Sequence, residues 1–518
     1  MRVGCVGLAL VTVISVEGAA QRRSPSQAPP VGAAEHVWKP VRDGGAEVVA
    51  IEVRTVLQDL PATAGDSFTV TAPVVYAGVR GIADRVRDLV VRDTLGTIEM
   101  RAEDEPPTPG GFPYYRKWRA SRTVRFPVTI SYRSLAPNQP PGGPPFGLFA
   151  AHGGVSGAGS GFLVLPEVRG RLTSRVRWDL SDVAAGSTGA TSWGVGDFTV
   201  VGSPTELRQG WIMAGPLGRY PADDPGAAFS AVWLGEPTWD PVAEMKWASE
   251  MYQYLGRAYA YLNPLPSYRV FIRTGPPGGT RGGGATALAN SFMVGAAARQ
   301  PNAAAEGTAG RATLTHEMGH NFVGGIEAPQ GVVSWFSEGL NVYYTRLLPF
   351  RGGFTTVDEY GRDVNSGFQT YYSSPARNLS ADSITRVGFT DEVVRRMPYV
   401  RGAMYFADLD TKIRAYSKGK RNLDVVMREL FERRQRGESI THDVWIATVV
   451  KEAGPGARGD FEGIILRGDK TVVPESNAFG PCFERRALPE RTVEGKTLPA
   501  SFEWIRVTAV PDERCRQW

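Results

Sequence analysis

Two of the chain's five histidines, His316 and His320, stand four positions apart in the segment TLTHEMGHNFVGG, and Glu317 follows the first of them. Residues four apart share one face of a helix, so the two imidazoles can bind a single metal ion. Glu317 can then reach a water at that ion without binding the ion itself. The same five-residue pattern also occurs by chance in long chains, so it needs support from elsewhere in the sequence.

A third metal ligand is available in a second helical segment, WFSEGLNVYYTRLL, where Glu338 follows His320 after 17 intervening residues. Its neighbours Trp335 and Phe336 predict a buried carboxylate, and a buried charge needs a partner. Two imidazoles and one carboxylate, with a fourth position left open, are typical of a hydrolytic zinc site, so we predict one Zn²⁺ per chain. The alternative is an ordinary solvent-facing glutamate.

The elements that must position these side chains are predicted to be helices. The first motif has helix-compatible composition and stops at Gly324-Gly325, a common helix end. In the second segment, Asn341 and Tyr344 lie three and six residues after Glu338, and either could support the metal ligands. Adjacent tyrosines in a helix are, however, more often part of a packed core.

The rest of the chain predicts an α+β multidomain protein. Residues 46–237 contain short apolar runs separated by Gly and Pro, such as EVVAIEVRTVL and FTVTAPVVYAG, which predict an N-terminal β-sandwich-like domain. Residues 238–455 are mostly helical in pattern and include the amphipathic segment VAEMKWASEMYQYLGRAYAYL and the buried strand SYRVFIRTG. Residues 456–518 predict a short C-terminal β extension.

The N-terminus predicts export. Residues 1–20 have a short positive region, an apolar run and small residues around a cleavage site, as in a signal peptide, and residues 21–45 predict a flexible leader. The alternative is a buried N-terminal segment. Cys482 and Cys515 would remain after cleavage, and in an oxidising compartment they suggest one disulfide, the alternative being two free thiols. We therefore expect a periplasmic or extracellular protein.

Composition narrows the class of partner. The formal net charge is only +5 and no run of five basic residues occurs, which argues against nucleic-acid binding. No segment after the N-terminus is long and apolar enough to span a membrane, so we expect no stable membrane insertion once the signal is removed. The expected partner is a peptide or protein substrate; the oligomeric state stays open.

The segments HEMGHNFVGG, VVSWFSEGLNVYYTRLLPFRGG and PYVRGAMYFADLDTKIRAYSKGKRNLDVVMREL together resemble the glycyl-aminopeptidase family of gluzincin zinc metallopeptidases. The resemblance covers about residues 240–455 and implies a thermolysin-like catalytic domain. It further implies that the zinc ligands are His316, His320 and Glu338. Glu317 would be the general base, and Tyr399 would donate a hydrogen bond to the oxyanion.

One part of the family pattern is missing. In related aminopeptidases a glycine-containing loop supplies a glutamate that binds the substrate's α-amine, and the matching residues here are Gly283, Gly284 and Ala285. No acid occurs between Thr274 and Gln300. The resemblance implies a peptide hydrolase that is aminopeptidase-like, and the missing acid leaves an endopeptidase as an alternative. A second alternative is a catalytically silent peptide-binding protein on the same scaffold.

Overall fold

The computed structural model describes residues 30–58, 60, 68–139, 143–224, 226–261, 264–276, 283–328, 332–493 and 496–518. The predicted signal peptide lies outside these described residues, as does the predicted leader up to residue 29. The chain divides into two compact units. Among the described residues, the first unit contains 30–249 and 266–313, and the second unit contains 250–265 and 314–518.

The first unit is built mainly from β-strands. The strands are β1 (Gly32–Arg42), β2 (Val48–Gln58), β3 (Thr69–Tyr76), β4 (Val79–Arg80), β5 (Val86–Asp93), β6 (Gly96–Ile98), β7 (Met100–Asp104), β8 (Tyr114–Ala120), β9 (Val128–Leu135), β10 (Phe149–Ala151), β11 (Gly154–Ala158), β12 (Leu165–Pro166), β13 (Leu172–Trp178), β14 (Thr188–Thr191), β15 (Gly194–Val195), β16 (Phe198–Gly202), β17 (Trp211–Gly215), β18 (Gly218–Tyr220), β19 (Phe229–Leu234), β20 (Tyr268–Thr274), β21 (Ala285–Leu288) and β22 (Ser291–Ala296).

These strands form three sheets before residue 216. Their orders are β16-β13-β1-β2-β9-β5-β6, β10-β11-β17-β14-β15, and β12-β3-β8-β7 with β4 beside β3. Alternating inward side chains build the core, in which Trp38 of β1 packs edge-on against Phe162 and Trp178 with ring centroids 5.3 and 5.4 Å apart. The β-rich N-terminal region predicted from the sequence is confirmed.

The predicted boundaries at 45/46 and at 237/238 differ from those of the structure. Residues 32–42 are not part of a flexible leader, because they form β1, which pairs with β2 and, in parallel, with β13. The boundary between residues 237 and 238 is wrong because it divides a single sheet. That sheet has the order β18-β19-β20-β22-β21, and β19 pairs in parallel with β20, which pairs in parallel with β22.

The second unit is mainly helical, and helices α1 and α2 begin in residues assigned to the first unit. The helices are α1 (Pro241–Ala258), α2 (Arg311–Val323), α3 (Ser334–Ser337), α4 (Gly339–Arg351), α5 (Val357–Tyr372), α6 (Ala381–Val387), α7 (Glu392–Arg395), α8 (Met397–Tyr416), α9 (Leu423–Gln435), α10 (His442–Ala453), α11 (Gly456–Phe461) and α12 (Asp512–Cys515). A β-rich unit and a helical unit thus make up the α+β architecture that the sequence predicts. In the described part of the chain, no helix combines the length and the hydropathy of a membrane span.

The C-terminal residues are part of the second unit, so the predicted β extension at 456–518 begins too early. Helix α11 continues into a π-helical segment, Glu462–Arg467. Four short strands follow: β23 (Phe483–Leu488), β24 (Arg491–Val493), β25 (Lys496–Leu498) and β26 (Ser501–Arg506). Trp504 of β26 stacks on Phe368 of α5 with ring centroids 4.3 Å apart. The predicted disulfide between Cys482 and Cys515 is confirmed, with Cα atoms 5.4 Å apart.

Candidate metal centre and active site

Helix α2 carries His316, Glu317 and His320, and all three side chains are buried. The apolar residues Leu314 and Phe322 of the same helix are also buried, which orients the helix in the second unit. At its C-terminus, the guanidinium of Arg434 donates to the backbone carbonyls of Phe322 and Val323. A cation on the last carbonyls satisfies groups that a helix end leaves without partners. The helix that presents the two imidazoles is therefore held at its end.

Glu338 lies between α3 and α4, with helical backbone angles (φ −94°, ψ −48°). The residues before it are anchored in an aromatic core, where Trp335 stacks on Phe406 at 5.8 Å and contacts Phe461 at 4.9 Å between ring centroids. This anchoring turns Glu338 inward and leaves only 1% of its surface exposed. The sequence-based expectation of a buried carboxylate is confirmed, and the solvent-facing alternative is excluded.

The three predicted ligands converge. The two Nε2 atoms of His316 and His320 are 3.0 Å apart, and Glu338 Oε2 lies 3.2 Å from the first and 3.4 Å from the second. A tetrahedral zinc ion with bonds of about 2.0–2.1 Å requires its ligand atoms to be about 3.3 Å apart. The observed triangle matches this spacing on all three sides, so the residues fit a zinc ion.

Hydrogen bonding alone explains the triangle poorly. If both imidazoles donated from Nε2 to Glu338, two proton-bearing nitrogens would face each other at 3.0 Å. Burial lowers the pKa of His316, which keeps its imidazole in the neutral form that binds a metal. Burial alone would raise the pKa of Glu338, but the two histidines lower it to about 2, so the carboxylate is ionised. A cation at the centre satisfies all three groups.

Asn341 contacts the backbone of the first predicted ligand. Its Nδ2 donates to the backbone carbonyl of His316 at 2.8 Å, and the side chain is fully buried. Gly319 makes room for it, because a Cβ at that position would overlap Asn341 Oδ1. The sequence left the role of Asn341 open, and the structure places it against the backbone of His316, one of the predicted metal ligands. Tyr344, the other candidate, instead donates to Asp424 at 3.1 Å.

Tyr399 lies beside His316, a predicted metal ligand, at the start of α8. Its ring centroid is 6.0 Å from that of His316, with an interplanar angle of 22°, and only 5% of the residue is exposed. It is brought there by a close crossing of α4 and α8, where Gly339 and Gly402 meet with no side chain between them. The sequence alone did not identify this pair of glycines. Gly339 directly follows Glu338 in WFSEGLNVYYTRLL, and Gly402 is the glycine of the segment PYVRG that contains Tyr399.

The predicted substrate loop, residues 283–285, lies in the first unit and among the residues that the structure describes. Gly283 has a left-handed backbone (φ +114°), and a Cβ on it would approach Arg273 Nη2 to 2.8 Å. Gly284 donates to the carbonyl of Gly143 at 3.2 Å, and Ala285 begins β21. Strand β21 is at the edge of its sheet, as a strand that pairs with an extended substrate must be. It contains no acid in place of the missing glutamate.

No protein-family model matches the sequence, and no curated protein matches it in sequence. Solved structures do match the fold. An aminopeptidase N family protein from Idiomarina loihiensis aligns with a TM-score of 0.66 at 15% identity, over 88% of this chain and 79% of that one. Leukotriene A4 hydrolase from Saccharomyces cerevisiae aligns with a TM-score of 0.52 at 13% identity, over 88% and 73%. An M1 zinc metallopeptidase from Deinococcus radiodurans aligns with a TM-score of 0.50 at 16% identity, over 86% and 96%.

These structures are zinc metallopeptidases or related hydrolases by name, and at such identities the likeness establishes a shared fold. The chain thus shares the fold of these structures, in agreement with the fold that the resemblance of its motifs implied.

Proposed function

We propose that the protein is an exported zinc metallopeptidase that hydrolyses peptide bonds. The observation that carries the proposal is the buried triangle of His316, His320 and Glu338, whose three ligand atoms are spaced as around a single zinc ion. A zinc ion there supplies Lewis acidity that makes a water nucleophilic near neutral pH. The shared fold with zinc metallopeptidases supports the same assignment.

The roles of the remaining site residues follow from their positions. Glu317 adjoins the first ligand in α2 and is fully buried, so it serves as the base that takes a proton from the attacking water and passes it to the leaving amine. Tyr399 stacks beside His316, which supports its proposed role as the donor to the oxyanion that develops on the substrate carbonyl. Both side chains are buried, and electrostatic interactions are stronger away from bulk water.

An aminopeptidase-like specificity rests on the resemblance of the motifs. The absence of an acid from Thr274 to Gln300 favours a second candidate, an endopeptidase. A buried amine-binding carboxylate contributes about 1.5–3 kcal/mol through its charge-assisted hydrogen bond, so its loss weakens selection for a free N-terminus. A catalytically silent binding protein is disfavoured, because Glu317 and all three ligands are retained together.

The test is a digest of matched peptides with free and acetylated N-termini by the zinc-loaded protein. Hydrolysis of either set supports the metallopeptidase. Comparable rates for both sets assign an endopeptidase-like specificity, whereas a strict need for the free amine assigns an aminopeptidase in which another group binds the amine. No hydrolysis of any peptide by a protein with full zinc content overturns the proposed activity and favours the binding protein.

Export is proposed on two features of the sequence and structure. Residues 1–20 have the pattern of a signal peptide, and the Cys482–Cys515 disulfide is typical of oxidising compartments. N-terminal sequencing of protein recovered from the cell exterior or periplasm checks this: a mature chain that starts near residue 21 supports export, and an intact N-terminus in the cytoplasm contradicts it.

A further inference from the structure

The first unit contains a cleft that the metal centre does not use. We call it the Arg269 cleft: it has a volume of about 400 Å³ and is lined by residues that include Trp193, Ser267 and Arg269. Arg269 lies in β20, next to Tyr268 at the start of that strand, and Trp193 lies in the turn between β14 and β15. A volume of a few hundred Å³ is within the range of small-molecule sites.

Arg269 is a buried cation without a counter-ion. Only 8% of the residue is exposed, and no carboxylate in the described part of the chain pairs with it. Its Nε donates to Ser230 Oγ at 3.1 Å and its Nη1 to the carbonyl of Thr191 at 2.9 Å. No described residue accepts a hydrogen bond from Nη2, so this nitrogen remains available to a ligand in the cleft.

Two other arginines commit both of their terminal nitrogens to backbone carbonyls. Arg434, which is partly buried, donates to Phe322 and Val323, and buried Arg401 donates from Nη1 to Leu379 and from Nη2 to Ile465. Burying a charge is costly unless it is paired or fully hydrogen-bonded. An arginine that is buried at the wall of a cleft, with one nitrogen uncommitted, is therefore suited to an anion.

Trp193 supplies an apolar wall. Its ring stacks on Phe198 with centroids 5.0 Å apart and an interplanar angle of 6°, and its far edge covers Gly210, where a Cβ would overlap the ring. The ring is thus held in place but remains partly exposed. A rigid, partly exposed tryptophan offers contact area to a ligand at little entropic cost.

We propose that the Arg269 cleft binds a small organic carboxylate with an apolar body, of about the size of a capped amino acid. The guanidinium pairs with the carboxylate and Trp193 contacts the apolar part. Arg269 is the one charged residue that lines the described cleft, which fits a monoanion better than a phosphate of charge about −1.5 to −2. The site is formed by residues of the first unit alone and does not depend on the proposed peptidase activity.

The test is calorimetric titration of the intact chain with N-acetyl-L-phenylalanine, with its amide, and with inorganic phosphate. The acid is expected to bind at one site at least about tenfold more tightly than either of the others, as one charge-assisted hydrogen bond predicts. Binding of the acid should persist in His316→Ala, which removes a proposed metal ligand. This variant therefore distinguishes an incorrect assignment of the cleft from an incorrect assignment of the metal centre.

Three variants locate the site. Arg269→Gln should weaken binding of the acid at least about tenfold, whereas Arg219→Gln, an exposed arginine of the same sheet, should leave it unchanged. Trp193→Ala should weaken binding of the acid severalfold. If Arg269→Gln does not fold, the Trp193→Ala variant tests whether the acid binds in this cleft. Equal affinities for acid and amide, equal binding of phosphate, or loss of binding in His316→Ala with retention in Trp193→Ala would each overturn the proposal.

Discussion

Gly339 and Gly402 meet backbone to backbone where α4 crosses α8: a Cβ on Gly339 would lie 2.5 Å from the Cα of Gly402. Helix α4 begins immediately after Glu338, and α8 carries Tyr399 in its first turn. The crossing therefore sets the position of the proposed oxyanion donor relative to Glu338, the third proposed metal ligand. Glycine is needed at both positions for this close approach.

Gly402→Ala should consequently impair the proposed active site, although residue 402 is not itself one of its proposed catalytic or metal-binding residues. The new Cβ would lie 2.6 Å from the carbonyl oxygen of Trp335 and 2.7 Å from the Cα of Gly339, so the helices must separate. We expect a destabilisation of about 1–3 kcal/mol, typical of overpacking, together with a fall in kcat. Thermal unfolding and peptide hydrolysis measure the two effects. Gly459→Ala, in a helix with open space around it, is the control: it should leave kcat unchanged and should not destabilise the protein, since alanine favours a helix more than glycine does.

Glu317→Gln should abolish hydrolysis while the protein keeps its zinc. The amide cannot accept the proton from water, and loss of a general base costs about 10²–10⁴-fold in rate. Zinc content and kcat measured on the same preparation check both halves of the expectation. Retained turnover would show that another group removes the proton.

Tyr399→Phe should lower kcat by about 10²–10³-fold with little change in KM, because it removes one donor to the oxyanion but leaves the ring in place. Tyr416→Phe, at the exposed end of the same helix, is the matched control and should be neutral. An equal, small effect of both substitutions would exclude Tyr399 from the reaction.

Asn341→Ala should weaken zinc binding about 10–100-fold, the usual effect of removing a group that orients a metal ligand. The substitution deletes the donor to the His316 carbonyl and leaves that carbonyl buried. Competition with a chelator of known affinity gives the zinc dissociation constant. An unchanged constant would limit Asn341 to helix packing.

The double substitution Cys482→Ser and Cys515→Ser should lower the free energy of unfolding by about 2–4 kcal/mol, because the disulfide closes a loop with a sequence separation of 33 residues. The lower free energy of unfolding should be that of the second unit, because Arg516, next to Cys515, donates to the carbonyl of Thr355 of that unit at 3.0 Å. Denaturant unfolding monitored with and without the bond gives the difference, and an unchanged midpoint would contradict this.

The cluster of His316, His320 and Glu338 could be predicted from the sequence because its determinants are local. His316 and His320 share a helix, and the aromatic neighbours of Glu338 predicted its burial. The orientation of Asn341 and the contact of Gly339 with Gly402 could not be predicted from the sequence, because each depends on how two helices cross. Glycine at a crossing gives the same sequence signal as glycine in a turn.

The errors in the fold also have non-local causes. Strand β1 was predicted as a leader because residues 21–45 are rich in Ser, Pro, Gly and Ala, yet β1 is stabilised by pairing with β13, which begins at Leu172. The sheet that contains β19 and β20 crosses the predicted boundary because parallel strands need a long connection, here supplied by α1. Local composition carries no information on such pairings.

The most direct test of the metal centre is the zinc content per chain after reconstitution, compared among the unaltered protein, His316→Ala and Glu338→Ala. We predict close to one zinc in the first and a large loss in both variants, because each ligand contributes one corner of the same triangle. A protein that cannot be loaded with zinc, or a Glu338→Ala variant that retains it fully, would contradict the metal centre described above.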